Sequence, residues 1–111
     1  MAIEQQFNNI EDLISNSELP LLLVFSSPWS GPSQLMNSVL EQVDAHLKQQ
    51  LQIVKIDSEK NSGLSDRYQV HALPTLLVFK HGQLAGRIEE ERTENLLPAA
   101  HLIQRLQAIL Q

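Results

Sequence analysis

The chain has 111 residues, enough for one domain whose core needs neither disulfide nor metal to hold it. Eight Lys and Arg against thirteen Asp and Glu leave a formal net charge of −5, the wrong sign for a nucleic-acid module, and no apolar run approaches the roughly 20 residues that span a bilayer. Zero cysteine excludes disulfides, thiolate metal sites and thiol catalysis, and four scattered histidines give no zinc centre.

The start, Met1-Ala2-Ile3-Glu4-Gln5-Gln6, has neither the basic and apolar regions of a secretory signal nor the arginines of a transit peptide, so a cytoplasmic location is expected. Residues 2–6 read as a short edge strand. From Phe7 a helix begins: Asn8 or Asn9 caps it, Glu11 and Asp12 suit its positive end, and Ile10, Leu13 and Ile14 share a face. Ser15 to Glu18 closes it and Pro20 forbids continuation.

Leu21-Leu22-Leu23-Val24-Phe25 is a continuous apolar run of strand length, the pattern of a central strand covered on both faces. The turn Ser26-Ser27-Pro28-Trp29-Ser30-Gly31-Pro32-Ser33 follows. Beyond it Leu35, Val39, Val43 and Leu47, with Met36 and Leu40 beside them, predict an amphipathic helix from near Ser33 to about Gln49. A strand–turn–helix junction of this kind presents backbone N–H groups and small side chains where ligands and chemistry often sit.

Leu51 to Ile56 is the next strand, ending at Asp57. Ser58 to Gly63 is polar and loop-like, and Leu64 to Tyr68 forms a short helix. Pro74 precedes a strong strand, Thr75 to Phe79, which His81-Gly82 turns into Leu84 to Ile88 as an antiparallel hairpin. Glu89 to Glu94 is a charged connection. Leu96, Leu97, Leu102, Ile103, Leu106 and Leu110 mark a last helix, with Pro98 tolerated only in its first turn. The order β-α-β-α-β-α-β-β-α predicts an α/β fold, a central mixed β-sheet flanked by helices with a right-handed crossover, as one domain over residues 1–111.

That order, with Trp29-Ser30-Gly31-Pro32-Ser33 after the first long strand and Leu73-Pro74-Thr75 before the hairpin, resembles the thioredoxin family over nearly the whole chain. Asp57-Ser58-Glu59-Lys60, Tyr68 to Thr75 and Leu102 to Leu106 resemble in particular the y-type thioredoxins of plastids and cyanobacteria, and the cyanobacterial cytoplasm is the expected setting. The resemblance implies the thioredoxin fold, with Pro74 as the cis-proline facing the active-site turn and the Leu73 backbone binding an extended partner segment. Ser30 and Ser33 occupy the places of the family's two redox cysteines. A serine hydroxyl is far less acidic than a thiol and forms no disulfide, so no catalytic residue remains for dithiol exchange.

Other departures accompany the serines. The family's buried aspartate beneath the motif falls at Val24, and a buried lysine near it at Ile53. Replacing both members of a buried charged pair with apolar groups is neutral or stabilising in many settings, so the two changes form a coherent swap. The family's proline inside the second helix is Ser38, which predicts a straighter helix. The usual aromatic after Phe25 is Ser26. The glycine that flanks the site after the hairpin is replaced within Glu89 to Glu94, bringing acidic charge near the groove.

Three functional readings stand on these residues. In the first, the protein is a redox-inactive binding or regulatory module that contacts protein partners through a groove of Trp29, Gly31, Pro32, Leu73 and Pro74. It needs no cofactor or metal, engages neither nucleic acid nor membrane, and is expected to be a monomer. In the second, it is a disulfide oxidoreductase whose cysteines were exchanged for serine by design, which accounts for Ser30 and Ser33 but not for Val24, Ile53, Ser38 or the acidic run. In the third, Ser30 is a nucleophile with His71 as its base, although no residue offers itself to orient the histidine.

Overall fold

In the computed structural model, the described residues are 2–4, 10–27, 31–47, 49–71, 73–89 and 99–110. Their elements run β1 (Ala2–Glu4), α1 (Ile10–Asn16), β2 (Leu21–Ser26), α2 (Gly31–Leu47), β3 (Gln52–Asp57), α3 (Ser62–Arg67), β4 (Thr75–Lys80), β5 (Gln83–Glu89) and α4 (Ala99–Leu110). The strands form one mixed sheet in the order β1-β3-β2-β4-β5. β3 is parallel to both β1 and β2, whereas β4 is antiparallel to β2 and to β5.

The unbroken apolar runs of β2 and β4 are explained by burial on both faces. Leu22 and Val24 of β2, with Leu76 and Val78 of β4, meet Met36, Leu40, Val43 and Leu47 of α2 and Leu102 and Leu106 of α4. The alternate residues Leu21, Leu23, Phe25, Leu77 and Phe79 face Ile10 and Ile14 of α1 on the other side, with Leu64 and Tyr68 packed against that cluster. Period-two alternation thus divides one apolar sequence between two cores.

The hairpin is made as its sequence dictates. Lys80 pairs with Gln83, leaving His81 and Gly82 as a two-residue loop with φ of 53° and 78°. Two positive φ values are the signature of the turn whose twist matches paired strands. A bulge follows: Val78 pairs with Gly86 and Phe79 with Leu84, so Ala85 is the extra residue. Gly86 then admits α4 closely, since a Cβ there would lie 2.7 Å from Ile109 Cδ1. Lys80 Nζ donates to the Ile109 carbonyl at 3.0 Å, capping the negative end of the same helix.

Several boundaries differ from the sequence reading. α2 begins at Gly31, within the Gly-Pro pair, and ends at Leu47. Leu35, expected in its buried stripe, is 50% exposed, and the buried face is Met36, Leu40, Val43 and Leu47. α3 starts at Ser62, inside the polar segment Ser58 to Gly63, and β5 carries on through Glu89, the first residue of the charged connection.

Candidate functional site

The sheet gathers one set of residues at a single end. β2 and β3 finish there, with Ser26 in register with Asp57, and β4 begins there, with Thr75 paired to Phe25 on one side and Glu89 on the other. α2 leaves from this end at Gly31, which is exposed. Pro32 and Ser33 lie in its first turn. The Leu73–Pro74 peptide bond is cis, with Pro74 buried and Leu73 partly buried on the α1/α3 side of the sheet. Trp29 and Ser30 lie outside the described residues, as do Pro28 and the acidic residues from Glu90 to Glu94. The Ser30–His71 pairing therefore falls outside them as well; His71 itself is exposed.

On the α2 and α4 side of the sheet the core is apolar. Val24 and Ile53 are each 1% exposed and belong to one cluster. Ile53 is in register with Leu22, and Val24 with Lys55, so the two apolar residues are diagonal neighbours on the face covered by α2 and α4. Lys55 is half-buried beside Val24. Ser38 is on the exposed face of α2, where a serine side chain needs no partner in the core.

Polar interactions organise the rim. Asp57 Oδ1 accepts the backbone N–H groups of Glu59 at 3.0 Å and Lys60 at 3.2 Å, closing a tight turn at the end of β3. The Ser58 N–H donates to the Ser26 carbonyl at 2.9 Å, and the buried Ser27 hydroxyl donates to Glu59 Oε1 at 3.2 Å. Both bonds tie this turn to the segment from which the motif departs. Behind it, the Ser58 and Ser65 hydroxyls share a bond of 2.6 Å.

On the opposite rim, α3 ends in a Schellman arrangement. The Gln69 N–H bonds the Asp66 carbonyl at 3.2 Å and the Val70 N–H bonds the Ser65 carbonyl at 2.8 Å. Gln69 takes the left-handed position with φ of 54°, at a cost of about 1 kcal/mol relative to glycine. The Arg87 guanidinium donates to the carbonyls of both Tyr68 and Gln69, and its Nε donates to Glu89. The Tyr68 ring packs edge-on to Phe79 at 5.8 Å and tilted against Phe25 at 6.3 Å, which anchors the same helix end to the sheet. Arg87 and Glu59 were not singled out from sequence. Their partners are 18 to 32 positions away, and an arginine in an exposed strand carries no signal of its own.

The chemistry open to this site follows from what it holds. With no cysteine in the chain, neither a thiolate nucleophile nor a resolving thiol exists. Among the described residues no three His, Asp or Glu gather in a metal-binding group, and no buried polar side-chain atom lacks a hydrogen-bond partner. What remains is an exposed helix start beside a proline-containing strand start, bordered by two hydrogen-bonded rims.

Comparison with known proteins agrees with this geometry. The thioredoxin family model matches residues 2–102. A thioredoxin-like protein of Synechocystis sp. is 43% identical over 110 residues, covering 99% of this chain and all of that protein. Chloroplastic thioredoxin Y2 of Arabidopsis thaliana is also 43% identical, and chloroplastic thioredoxin Y of Oryza sativa subsp. japonica 39%, each over 110 residues. The chain spans 63% and 62% of the length of those two plant proteins. A chain from a structural study of thiol resolution in yeast mitochondrial 1-Cys peroxiredoxin superposes with a TM-score of 0.81 at 22% identity, covering 96% of this chain and 94% of that one, a likeness of fold. The chain belongs to the thioredoxin family and carries the thioredoxin fold without a cysteine.

Proposed function

We propose that this protein binds other proteins non-covalently through the groove of Trp29, Gly31, Pro32, Leu73 and Pro74, and does not exchange disulfides. The observation that carries the reading is the buried apolar pair Val24 and Ile53 in a chain whose motif holds serines. Exchanging two cysteines alone removes the reaction and leaves the rest of a redox centre in place. Here Val24 and Ile53, the positions at which the family resemblance implies a buried aspartate and lysine, are apolar too, which extends the change into the core. The cleft-forming parts are retained: Gly31 and Pro32 at the start of α2, and Leu73–Pro74 before β4. The setting we favour is the cytoplasm of a cyanobacterium, in keeping with the Synechocystis relative.

Two measurements test this. Insulin reduction with a dithiol donor is expected to proceed no faster with the protein than without it. Proteins retained from an extract of the cells that express it are expected to be lost with Trp29→Ala. Catalysed insulin reduction, or cysteine codons at positions 30 and 33 of the natural gene, overturns the redox-inactive reading; retention unaffected by Trp29→Ala overturns the groove.

A further inference from the structure

We propose that Arg87 is a positioning residue for the groove, holding the segment that carries Leu73 and Pro74 by clasping the end of α3. The inference rests on the binding reading above and names the residue that keeps one groove wall in place. Four observations converge on it. First, the guanidinium donates to two successive carbonyls, Tyr68 and Gln69, at the point where α3 has run out of intrahelical N–H donors for its last carbonyls. A planar fork fits two neighbouring oxygens, and a charged donor makes each bond stronger than a neutral one would. Second, Arg87 is itself fixed, because its Nε is held by Glu89 two residues along β5.

Third, Gln69 sits in the left-handed region, where glycine is the relaxed choice. A residue held there against its preference needs its surroundings to fix it, and the bond to its own carbonyl does so. Fourth, the held point leads directly to the groove. From Gln69 the chain runs through Val70, His71 and Leu73 into Pro74 and Thr75, and Thr75 pairs with Glu89 on the strand that supplies the arginine. The loop is therefore secured to β5 at both ends: by the β4–β5 ladder at Thr75 and by the arginine at Tyr68–Gln69. Removing the guanidinium frees one end and leaves the sheet intact.

The test is amide exchange in Arg87→Ala, Arg87→Lys and Arg87→Ala with Gln69→Gly. In Arg87→Ala the Gln69 and Val70 amides, bonded to Asp66 and Ser65, are expected to exchange faster by on the order of ten- to a hundredfold, with Val54 and Ile56 of β3 unchanged. Arg87→Lys recovers only part of the protection, since one ammonium does not reproduce the fork. Adding Gln69→Gly to Arg87→Ala brings exchange back toward the native rate by removing the left-handed cost. Unchanged exchange at Gln69 and Val70, or an equal rise in β3, overturns the clasp.

The same variants are then compared in capture from cell extract, scored only on proteins that Trp29→Ala loses. Weaker capture by Arg87→Ala, restored by Gln69→Gly, supports the proposal. Full capture despite fast exchange overturns the link from clasp to groove and leaves the binding reading standing. If no protein distinguishes the native chain from Trp29→Ala, the binding reading fails, and exchange alone decides whether the clasp exists.

Discussion

Placing a carboxylate in the core between the sheet, α2 and α4, by Val24→Asp, measures whether that core accommodates a charge. Val24 is 1% exposed and is flanked in register by Leu76 on β4 and Lys55 on β3. Its cluster is otherwise Leu, Val, Ile and Met, including Ile53 two residues along from Lys55. Burial of an acid in such surroundings raises its pKa by about 3 units or more. At about 1.4 kcal/mol per unit, ionisation at pH 7 then costs roughly 4 kcal/mol, a large share of a total stability of about 5–15 kcal/mol.

The sign of the pH dependence follows. Above the unfolded pKa of about 3.9 the unfolded chain loses the proton while the folded chain keeps it, so stability falls as pH rises. The fall runs at about 1.4 kcal/mol per unit until the folded pKa is reached, and then levels off. Lys55 moderates the loss, because it is the register partner of Val24 and its side chain leaves the sheet from the same face. Lys55→Met combined with Val24→Asp is therefore expected to be worse than the sum of the two single changes. Urea unfolding of all four proteins between pH 4.5 and pH 8, values chosen to bracket the expected transition, reads both effects. A cost under about 1 kcal/mol at pH 7 with no slope would refute the view that this site no longer accommodates a charge.

Two further predictions concern how α4 is seated. Gly86→Ala puts a methyl 2.7 Å from Ile109 Cδ1; overpacking of about 1–3 kcal/mol, less the gain of about 0.5–1 kcal/mol from replacing a strand glycine, leaves a net loss of about 1 kcal/mol. Chemical denaturation checks it, and Ile109→Val, which lacks the offending atom, is expected to recover most of the loss. Lys80→Met removes the donor to the Ile109 carbonyl and is expected to lower stability by about 0.5–1 kcal/mol, with the thermal midpoint as readout and an unchanged midpoint as the contrary result.

The central strands and the hairpin were legible because their signals are local. An apolar run of strand length between turn residues admits few structures, and His81-Gly82 supplies the two positive φ values that a tight hairpin asks for. The phase of α2 was misjudged for a geometric reason. Leu35, Val39, Val43 and Leu47 repeat every four residues, and at about 100° per residue that row drifts by about 120° over its length. Met36, Leu40, Val43 and Leu47 drift by only about 20° and hold one face toward the sheet, which leaves Leu35 exposed. The rims were illegible for a different reason. Whether Arg87 meets Tyr68 and Gln69, or Ser27 meets Glu59, depends on strand register and on where α3 stops. Gly86 likewise reads as a strand glycine until α4 is laid across it.

Stability explains the apolar core of this chain and does not by itself explain the polar rim. A thiol centre that passes protons needs an ionisable group beneath it, and burying that group costs stability whenever it is charged. This chain has no thiol, and Val24 and Ile53 fill the core between the sheet, α2 and α4 with apolar volume. The rim faces the same test with the opposite result. Arg87, Glu89, Asp57 and the Ser58–Ser65 pair are polar, some are half-exposed, and none adds to the apolar core. Stability alone would be served at Gln69 by a glycine without any arginine. The chain instead keeps a strained residue and a guanidinium to hold it, at the end of the loop that leads to Leu73 and Pro74. Under the proposed binding role, this arrangement holds the Leu73–Pro74 segment in the one shape a partner would meet.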